Sequence, residues 1–213
     1  MKREAYFTRE NLAAKSRAML DALASYRTRH ADSIFQRERA ALLVLDMQDY
    51  FLSEVSHAFI PSAQAILHNI QILTDAFRAA DRPVVFTRHI NTDADAGMMS
   101  RWWRDTIRSD SPDSEIMAFN TTSGVVIQKS QYDAFYNSPL EETLRGRGVE
   151  QVVVTGVMTH LCCETTARSA FVRGYEVFFC VDGTATYTEE FHCASMLNIS
   201  HGFAVPVLCE NVG

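Results

Sequence analysis

The sequence has 213 residues, of which 47% are hydrophobic and 22% charged, and its formal net charge is −6. This length suits one α/β core, and the composition is that of a folded globular protein rather than a disordered one. The acidic balance gives no electrostatic footprint for nucleic acid or an anionic membrane, and no apolar run approaches the roughly 18 residues of a membrane span.

The cysteines indicate a reducing compartment. There are five of them, and the sequence contains no Cys-x-x-Cys pair. This odd number without pairing argues against a disulfide framework and against a structural zinc site. The N-terminus is charged and lacks the apolar core of a signal peptide. We therefore expect a cytoplasmic protein with neither nucleic acid nor membrane as a partner.

Residues 1–39 differ in charge from the rest of the chain. Nine basic and five acidic side chains give this segment +4, which leaves −10 on the remainder. Leu12, Met19, Leu20 and Leu23 fall near helical spacing, which predicts one amphipathic helix. We expect residues 1–39 to form a helical extension that packs on the domain or on a neighbouring subunit of a homo-oligomer, a dimer or tetramer.

Residues 40–213 alternate between strand and helix patterns and predict one α/β domain. Stretches such as Val152–Val154 are apolar without alternation, as in a parallel sheet covered on both faces. The pattern predicts a three-layer αβα fold whose six-stranded, parallel, doubly wound sheet has the order 3-2-1-4-5-6. The expected strands are at about 41–46, 83–88, 124–129, 151–156, 175–181 and 203–207. The expected helices are at about 62–80, 98–108, 139–147, 161–173 and 188–200, and residues 182–188 read as a loop.

Three chemically active side chains follow predicted strands. Asp46 ends the first strand, Lys129 ends the third, and Cys162 comes after the fourth, where a helical pattern begins. The carboxyl ends of parallel strands meet at one edge of a sheet, so the three side chains can meet. A helix N-terminus favours a thiolate, and we therefore expect a thiol of low pKa at Cys162. Cys163 lies about 100° further round the helix and is expected to pack in the core.

Together these groups would serve amide hydrolysis without a metal. Asp46 can take the thiol proton and return it to the leaving amine, while Lys129 stabilises both charged forms. Backbone N–H groups of Cys162 and Met158 can act as the oxyanion hole. Taken singly, each residue has a commoner structural role: Asp46 as a helix cap or turn former, Lys129 as a solvated lysine and Cys162 as a small core residue.

At these residues the sequence resembles the isochorismatase-like superfamily of cysteine hydrolases. The resemblance implies a catalytic triad of Asp46, Lys129 and Cys162, no cofactor, and a cis peptide at Val157–Met158 that turns the Met158 N–H toward the oxyanion. The blocks that carry it are Ala41–Phe51, Val126–Phe135 and Gly156–Arg168.

The branches of the superfamily differ at two places. Nicotinamidases carry an Asp-Trp-His metal element where this sequence reads Thr87–Asn91, which argues against nicotinamidase activity and against a bound zinc or iron. True isochorismatases typically have glycine at the nucleophile position, so Cys162 argues against that branch. The resemblance is best to hydrolases of N-carbamoyl compounds, ureides, maleamate and similar small amides.

The sequence thus predicts a cysteine hydrolase that cleaves a small amide, ureido or carbamoyl C–N bond through a Cys162 thioester. Two alternatives remain: a vinyl ether hydrolase that uses Asp46 as an acid, and an inactive binding module. Between the second and third strands, Arg101–Arg104 either clamps a planar carboxylate or ureido group or forms a surface helix. The side chains expected to line the substrate pocket are Gln48, Phe51, His89, Trp103, Tyr132, Phe135, Thr159 and His160.

Overall fold

A computed structural model describes residues 2–27, 32–122 and 124–213. Its centre is a six-stranded parallel sheet with the order β3-β2-β1-β4-β5-β6. The strands are β1 (Ala40–Leu45), β2 (Val84–His89), β3 (Val125–Lys129), β4 (Gln151–Val157), β5 (Glu176–Ala185) and β6 (Val205–Val207). The predicted fold class and strand order are confirmed.

Helices cover both faces of the sheet. In the described residues they are α1 (Leu12–Ala22), α2 (Ala24–Arg27), α3 (Asp49–Leu52), α4 (Ala63–Ala79), α5 (Met99–Trp102), α6 (Leu140–Arg145), α7 (Glu164–Val172) and α8 (Glu189–Gly202). Apolar side chains of α4 pack in one core cluster, and those of α6, α7 and α8 pack in the other. Helix α1 contributes Leu12 to the first cluster and Leu20 to the second. No helix in these ranges has the length and apolarity of a bilayer span.

The central strands owe their position to their side chains. Every residue of β1 and β4 is buried, as continuous apolar runs in a doubly covered sheet require. The edge strand β3 instead alternates, with Val126 and Gln128 exposed and Ile127 and Lys129 buried. Its last residue therefore points into the protein.

Two elements differ from the sequence prediction. Strand β5 continues to Ala185, although residues 182–188 read as a loop, because its polar side chains find partners. The Asp182 carboxylate accepts the Cys209 N–H at 2.8 Å and the Asn69 side-chain amide at 2.9 Å. The helix expected at 98–108 is a single turn, since Trp103 already has an extended backbone.

The N-terminal segment packs on its own chain. Tyr6 and Phe7 are buried in the same core cluster as the residues of α4. The Glu4 N–H donates to the Tyr187 carbonyl at 2.8 Å, and the Phe7 N–H donates to the Ser62 hydroxyl at 3.1 Å. Residues 28–31 lie outside the described residues. A domain boundary at residue 39 stays a prediction.

Candidate active site

The carboxyl edge of the sheet brings the three expected side chains together. Asp46 directly follows β1 and has a φ of +52°, in the left-handed region that few non-glycine residues adopt. Lys129 is the last residue of β3. Cys162 lies in a turn of π-helix, Thr159–Cys163, that joins β4 to α7, a form that is frequent at functional sites.

The ammonium of Lys129 joins these groups. Its Nζ lies 2.8 Å from Asp46 Oδ2 and 3.4 Å from Cys162 Sγ. It also lies 2.9 Å from the Gln131 carbonyl and 3.2 Å from His89 Nδ1. The side chains of both Asp46 and Lys129 are fully buried. Four acceptors thus surround three N–H groups, and the ammonium is fully solvated by protein atoms.

The carboxylate of Asp46 is held from two sides. The Thr87 hydroxyl donates to Asp46 Oδ1 at 2.6 Å and accepts the Asp46 N–H at 3.0 Å. Burial alone would raise the pKa of Asp46, but the Lys129 charge holds it below its usual value. Burial alone would lower the pKa of Lys129, but Asp46 and Cys162 hold it above its usual value. The pair is therefore ionised in the resting protein.

Cys162 carries its proton in this arrangement. Burial, and then the Asp46 carboxylate, raise the pKa of the thiol far above its usual value, although Lys129 acts in the opposite direction. The predicted low-pKa thiol is therefore wrong. The sulfur is desolvated and faces a carboxylate that is already charged, and these effects outweigh a helix terminus. Cys163 is fully buried in the core, as expected.

The site offers a set of metal-binding atoms that its own lysine occupies. Oxygen, nitrogen and sulfur atoms of Asp46, His89 and Cys162 lie within 4.8 Å of one another. His89 Nδ1 accepts from Lys129, and its Nε2 lies 3.0 Å from Asn91 Oδ1, so both ring nitrogens are engaged. Burial, and then the Lys129 charge, lower the pKa of His89 to about 4. The set fits an ammonium better than a metal ion.

Cys162 opens onto a cavity of about 260 Å³. Phe51, His89, Trp103 and Tyr132 line it, as the sequence predicts, and so does Met158. The Trp103 indole N–H donates to the Tyr132 hydroxyl at 2.7 Å, which fixes one wall. The sequence missed further lining residues, among them Arg3, Tyr50, His57, Asn91 and Tyr187.

The segment Arg101–Arg104 combines the two expected arrangements, because one part lines the cavity and another part is exposed. Trp103 and Arg104 reach the cavity, whereas the Trp102 side chain is 73% exposed. Tyr50 lies within the block Ala41–Phe51, and Asn91 ends the segment Thr87–Asn91, so both could have been found from these motifs. Arg3 had no comparable signal.

Four expected pocket residues face elsewhere. The Gln48 amide accepts the His89 N–H at 2.7 Å and donates to the Ser114 carbonyl at 2.7 Å, so it braces the backbone of the site. Phe135 lies in the core and stacks on Tyr175.

The other two follow Met158 directly in the chain. Thr159 Oγ1 lies 3.1 Å from His192 Nδ1. His160 Nδ1 lies 2.7 Å from the Thr186 hydroxyl, and its ring stacks on Phe191. Neither side chain lines the cavity, because the π-turn directs both toward α8 and the end of β5.

Gly156 permits the close contact that shapes the edge of the sheet. Its φ is +109°, and a Cβ at this position would lie 2.1 Å from the Leu45 carbonyl oxygen. Strand β4 therefore passes against β1 immediately before Asp46. The next peptide bond but one, Val157–Met158, is cis.

Comparisons with known proteins identify a family. Residues 40–210 match the family model described as the Isochorismatase domain. The chain is 42% identical over 193 residues to Nicotinamidase 3 of Arabidopsis thaliana. This alignment covers 88% of this chain and 92% of that protein. It is 33% identical over 186 residues to Enterobactin synthase component B of Escherichia coli (strain K12), covering 85% of this chain and 65% of that protein.

A solved structure has the same fold. The cysteine hydrolase from Pseudomonas syringae pv. phaseolicola superposes with a TM-score of 0.80 at 27% identity. The superposition covers 84% of this chain and 93% of that one.

Proposed function

The chain belongs to the isochorismatase family of hydrolases, and we propose that it is a cysteine amidohydrolase that cleaves a small amide, ureido or carbamoyl C–N bond. The observation that carries the proposal is the buried Lys129 ammonium, which contacts both the Asp46 carboxylate and the Cys162 sulfur. This contact gives a nucleophile, a base and a stabilising cation in one cluster.

The first step is attack by sulfur on the substrate carbonyl. As the S–C bond forms, the thiol proton passes to the Asp46 carboxylate, and Lys129 stabilises the charge on sulfur. The proton stays within the site, so the raised pKa of Cys162 toward solvent does not prevent the attack. The Lys129 ammonium thus stabilises the negative charge before and after the transfer, because it contacts both the Asp46 carboxylate and the Cys162 sulfur.

The tetrahedral intermediate needs hydrogen-bond donors for its oxyanion. We assign this role to the backbone N–H groups of Met158 and Cys162, because both residues line the cavity. Asp46 then returns the proton to the leaving nitrogen, the C–N bond breaks, and a thioester remains on Cys162. Water attacks the thioester with Asp46 as the base, which releases the acid and restores the thiol.

Nicotinamide belongs among the substrates to be tested. The segment Thr87–Asn91 led us to expect no nicotinamidase activity, but a relative 42% identical to this chain is named Nicotinamidase 3. Within that segment, His89 bonds to Lys129 instead of being free to hold a metal. A metal-free route through Cys162 would serve an aromatic amide as well as a ureide.

Replacement of Cys162 by alanine tests the proposal. We expect the wild type to release ammonia from a panel of small amides and ureides, and the variant to lose this activity. Mass spectrometry of the quenched wild type should locate an acyl group on Cys162, with Cys163 unmodified. A variant that retains full turnover of isochorismate would instead favour the vinyl ether hydrolase, with Asp46 as the acid.

The inactive binding module is the remaining alternative, and binding without turnover of any panel member would favour it. The homo-oligomer and the cytoplasmic location both stay predictions.

A further inference from the structure

A second group of polar side chains lines the cavity beside the triad. The Tyr50 hydroxyl lies 3.1 Å from His57 Nε2, which is 3.6 Å from Asp105 Oδ2. The same Asp105 oxygen lies 3.6 Å from Arg104 Nε. The Arg3 guanidinium lies over the ring of Tyr187, 5.5 Å from its centroid. These residues all line the cavity, and the mechanism uses none of them.

The charges of this group do not cancel. Arg3 and Arg104 are the cations on the cavity wall, and Asp105 is the acidic side chain there. The Asp105 carboxylate contacts both His57 and Arg104. Among residues 2–27, 32–122 and 124–213, no ion pair involves Arg3. The cavity wall is therefore positive in a chain whose net charge is −6. Such a cleft concentrates small anions.

The position of Arg3 is fixed by its neighbours. The Glu4 N–H donates to the carbonyl of Tyr187, whose ring lies under the Arg3 guanidinium. The Glu4 carboxylate accepts the Glu189 N–H at 3.0 Å, and Tyr6 is buried a few residues further on. The backbone of Arg3 is thus held at the cavity, and its exposed side chain lies over the Tyr187 ring at the cavity wall.

From this arrangement we propose that the substrate carries an anionic group, in the simplest case a carboxylate, and that Arg3 binds this group together with Arg104. The inference depends on the proposed amidohydrolase function for the other end of the substrate, whose carbonyl lies at Cys162. A guanidinium pairs with a carboxylate through two parallel hydrogen bonds, and the aromatic walls suit a planar body between the two ends. Arg104 lies within residues 40–210 and Arg3 lies outside them, so the part of this selectivity that Arg3 supplies lies outside the matched family domain.

Equilibrium binding tests the inference separately from turnover. The probes are para-carbamoylbenzoate and para-toluamide, which differ only in a carboxylate against a methyl group. Calorimetry on the Cys162→Ala protein measures both dissociation constants without loss of ligand. We compare this protein with versions that also carry Arg3→Gln, Arg3→Lys or Arg9→Gln. Arg9 is an exposed arginine of the same segment that lines a different cleft, which makes it the matched control.

We expect the carboxylate probe to bind about tenfold more tightly than the neutral one, the scale of one charge-assisted hydrogen-bonded contact. Arg3→Gln should remove most of this preference without weakening the neutral probe, Arg3→Lys should restore part of it, and Arg9→Gln should leave it unchanged. Equal affinity for the two probes, or an unchanged preference in Arg3→Gln, would overturn the inference even if the wild type hydrolyses amides. A preference that depends on Arg3, in a wild type that releases no ammonia, would instead reject the amidohydrolase function and leave the anion site standing.

Discussion

The two sides of the cavity are built in different ways. On one side, the ends of β1, β3 and β4 hold the triad through short polar contacts among fully buried atoms. On the other side, the N-terminal segment and the irregular stretch between β2 and β3 supply Arg3, Trp103 and Arg104. In the proposed mechanism the sheet side fixes the reacting atoms, and we expect the loop side to determine which molecules fit. Changes on the sheet side should therefore lower kcat, and changes on the loop side should raise KM.

The largest effect is expected from the triad itself. Asp46→Asn and Lys129→Met should each lower kcat by about 10³-fold or more, because proton transfer and charge stabilisation use the same three groups. The double variant should be scarcely worse than either single one. Steady-state kinetics of the three variants checks this. Losses that multiply in the double variant would mean that the groups act independently, with Asp46 alone as an acid.

Gly156→Ala should be the most damaging change that removes no reactive group. The new Cβ would overlap the Leu45 carbonyl, so β1 and β4 must separate beside Asp46. We expect a loss of roughly 3 kcal/mol or more in the free energy of unfolding, a cost typical of overpacking plus backbone strain. Gly148→Ala is the control, since its φ is also positive at +62° but nothing lies within 4 Å of a Cβ there. Thermal unfolding of the two variants should differ by several degrees, and equal losses would refute the role of the strand contact.

Acid should destabilise the sheet side through His89. Its pKa is about 4 in the folded protein, against about 6.5 when unfolded, so between these values the unfolded state binds the extra proton. Stability is therefore lost as pH falls from about 6.5 to 4, by roughly 3 kcal/mol from this group. Urea denaturation at several pH values should show a shallower decline in His89→Gln than in the wild type. The exposed His68 provides the control variant, His68→Gln, which removes an imidazole outside the site.

The smallest effect is expected on the loop side. Trp103→Phe removes the hydrogen bond to Tyr132, worth about 1 kcal/mol, and should raise KM about fivefold with kcat nearly unchanged. Trp102→Phe, at the exposed neighbouring position, should change neither constant. If kcat falls instead, the wall acts on the reacting atoms, and the division between the two sides of the cavity is wrong.

The same division explains how far the sequence could predict the protein. Apolar runs and strand-end residues predicted the sheet order and the meeting of Asp46, Lys129 and Cys162, because parallel strands fix where their ends lie. No comparable rule predicts where a side chain points after the strand has ended. Thr159 and His160 were therefore expected at the cavity, although they contact His192 and Thr186 instead. Arg3 could not be predicted, because its place depends on long-range contacts such as Glu4 with Tyr187. The thiol pKa was predicted with the wrong sign because burial is a property of the whole fold.

The enclosure of Lys129 by four acceptors has a consequence for the nucleophile. The carboxylate, ammonium and thiol carry no net charge, and a shift of one proton from sulfur to oxygen leaves that sum unchanged. In the proposed mechanism, the reactive and resting forms are therefore tautomers of one neutral assembly, with the same number of bound protons. Above the pH range in which His89 gains a proton, bulk pH does not alter the ratio of two such tautomers, and that ratio is set by the position of one proton between two atoms.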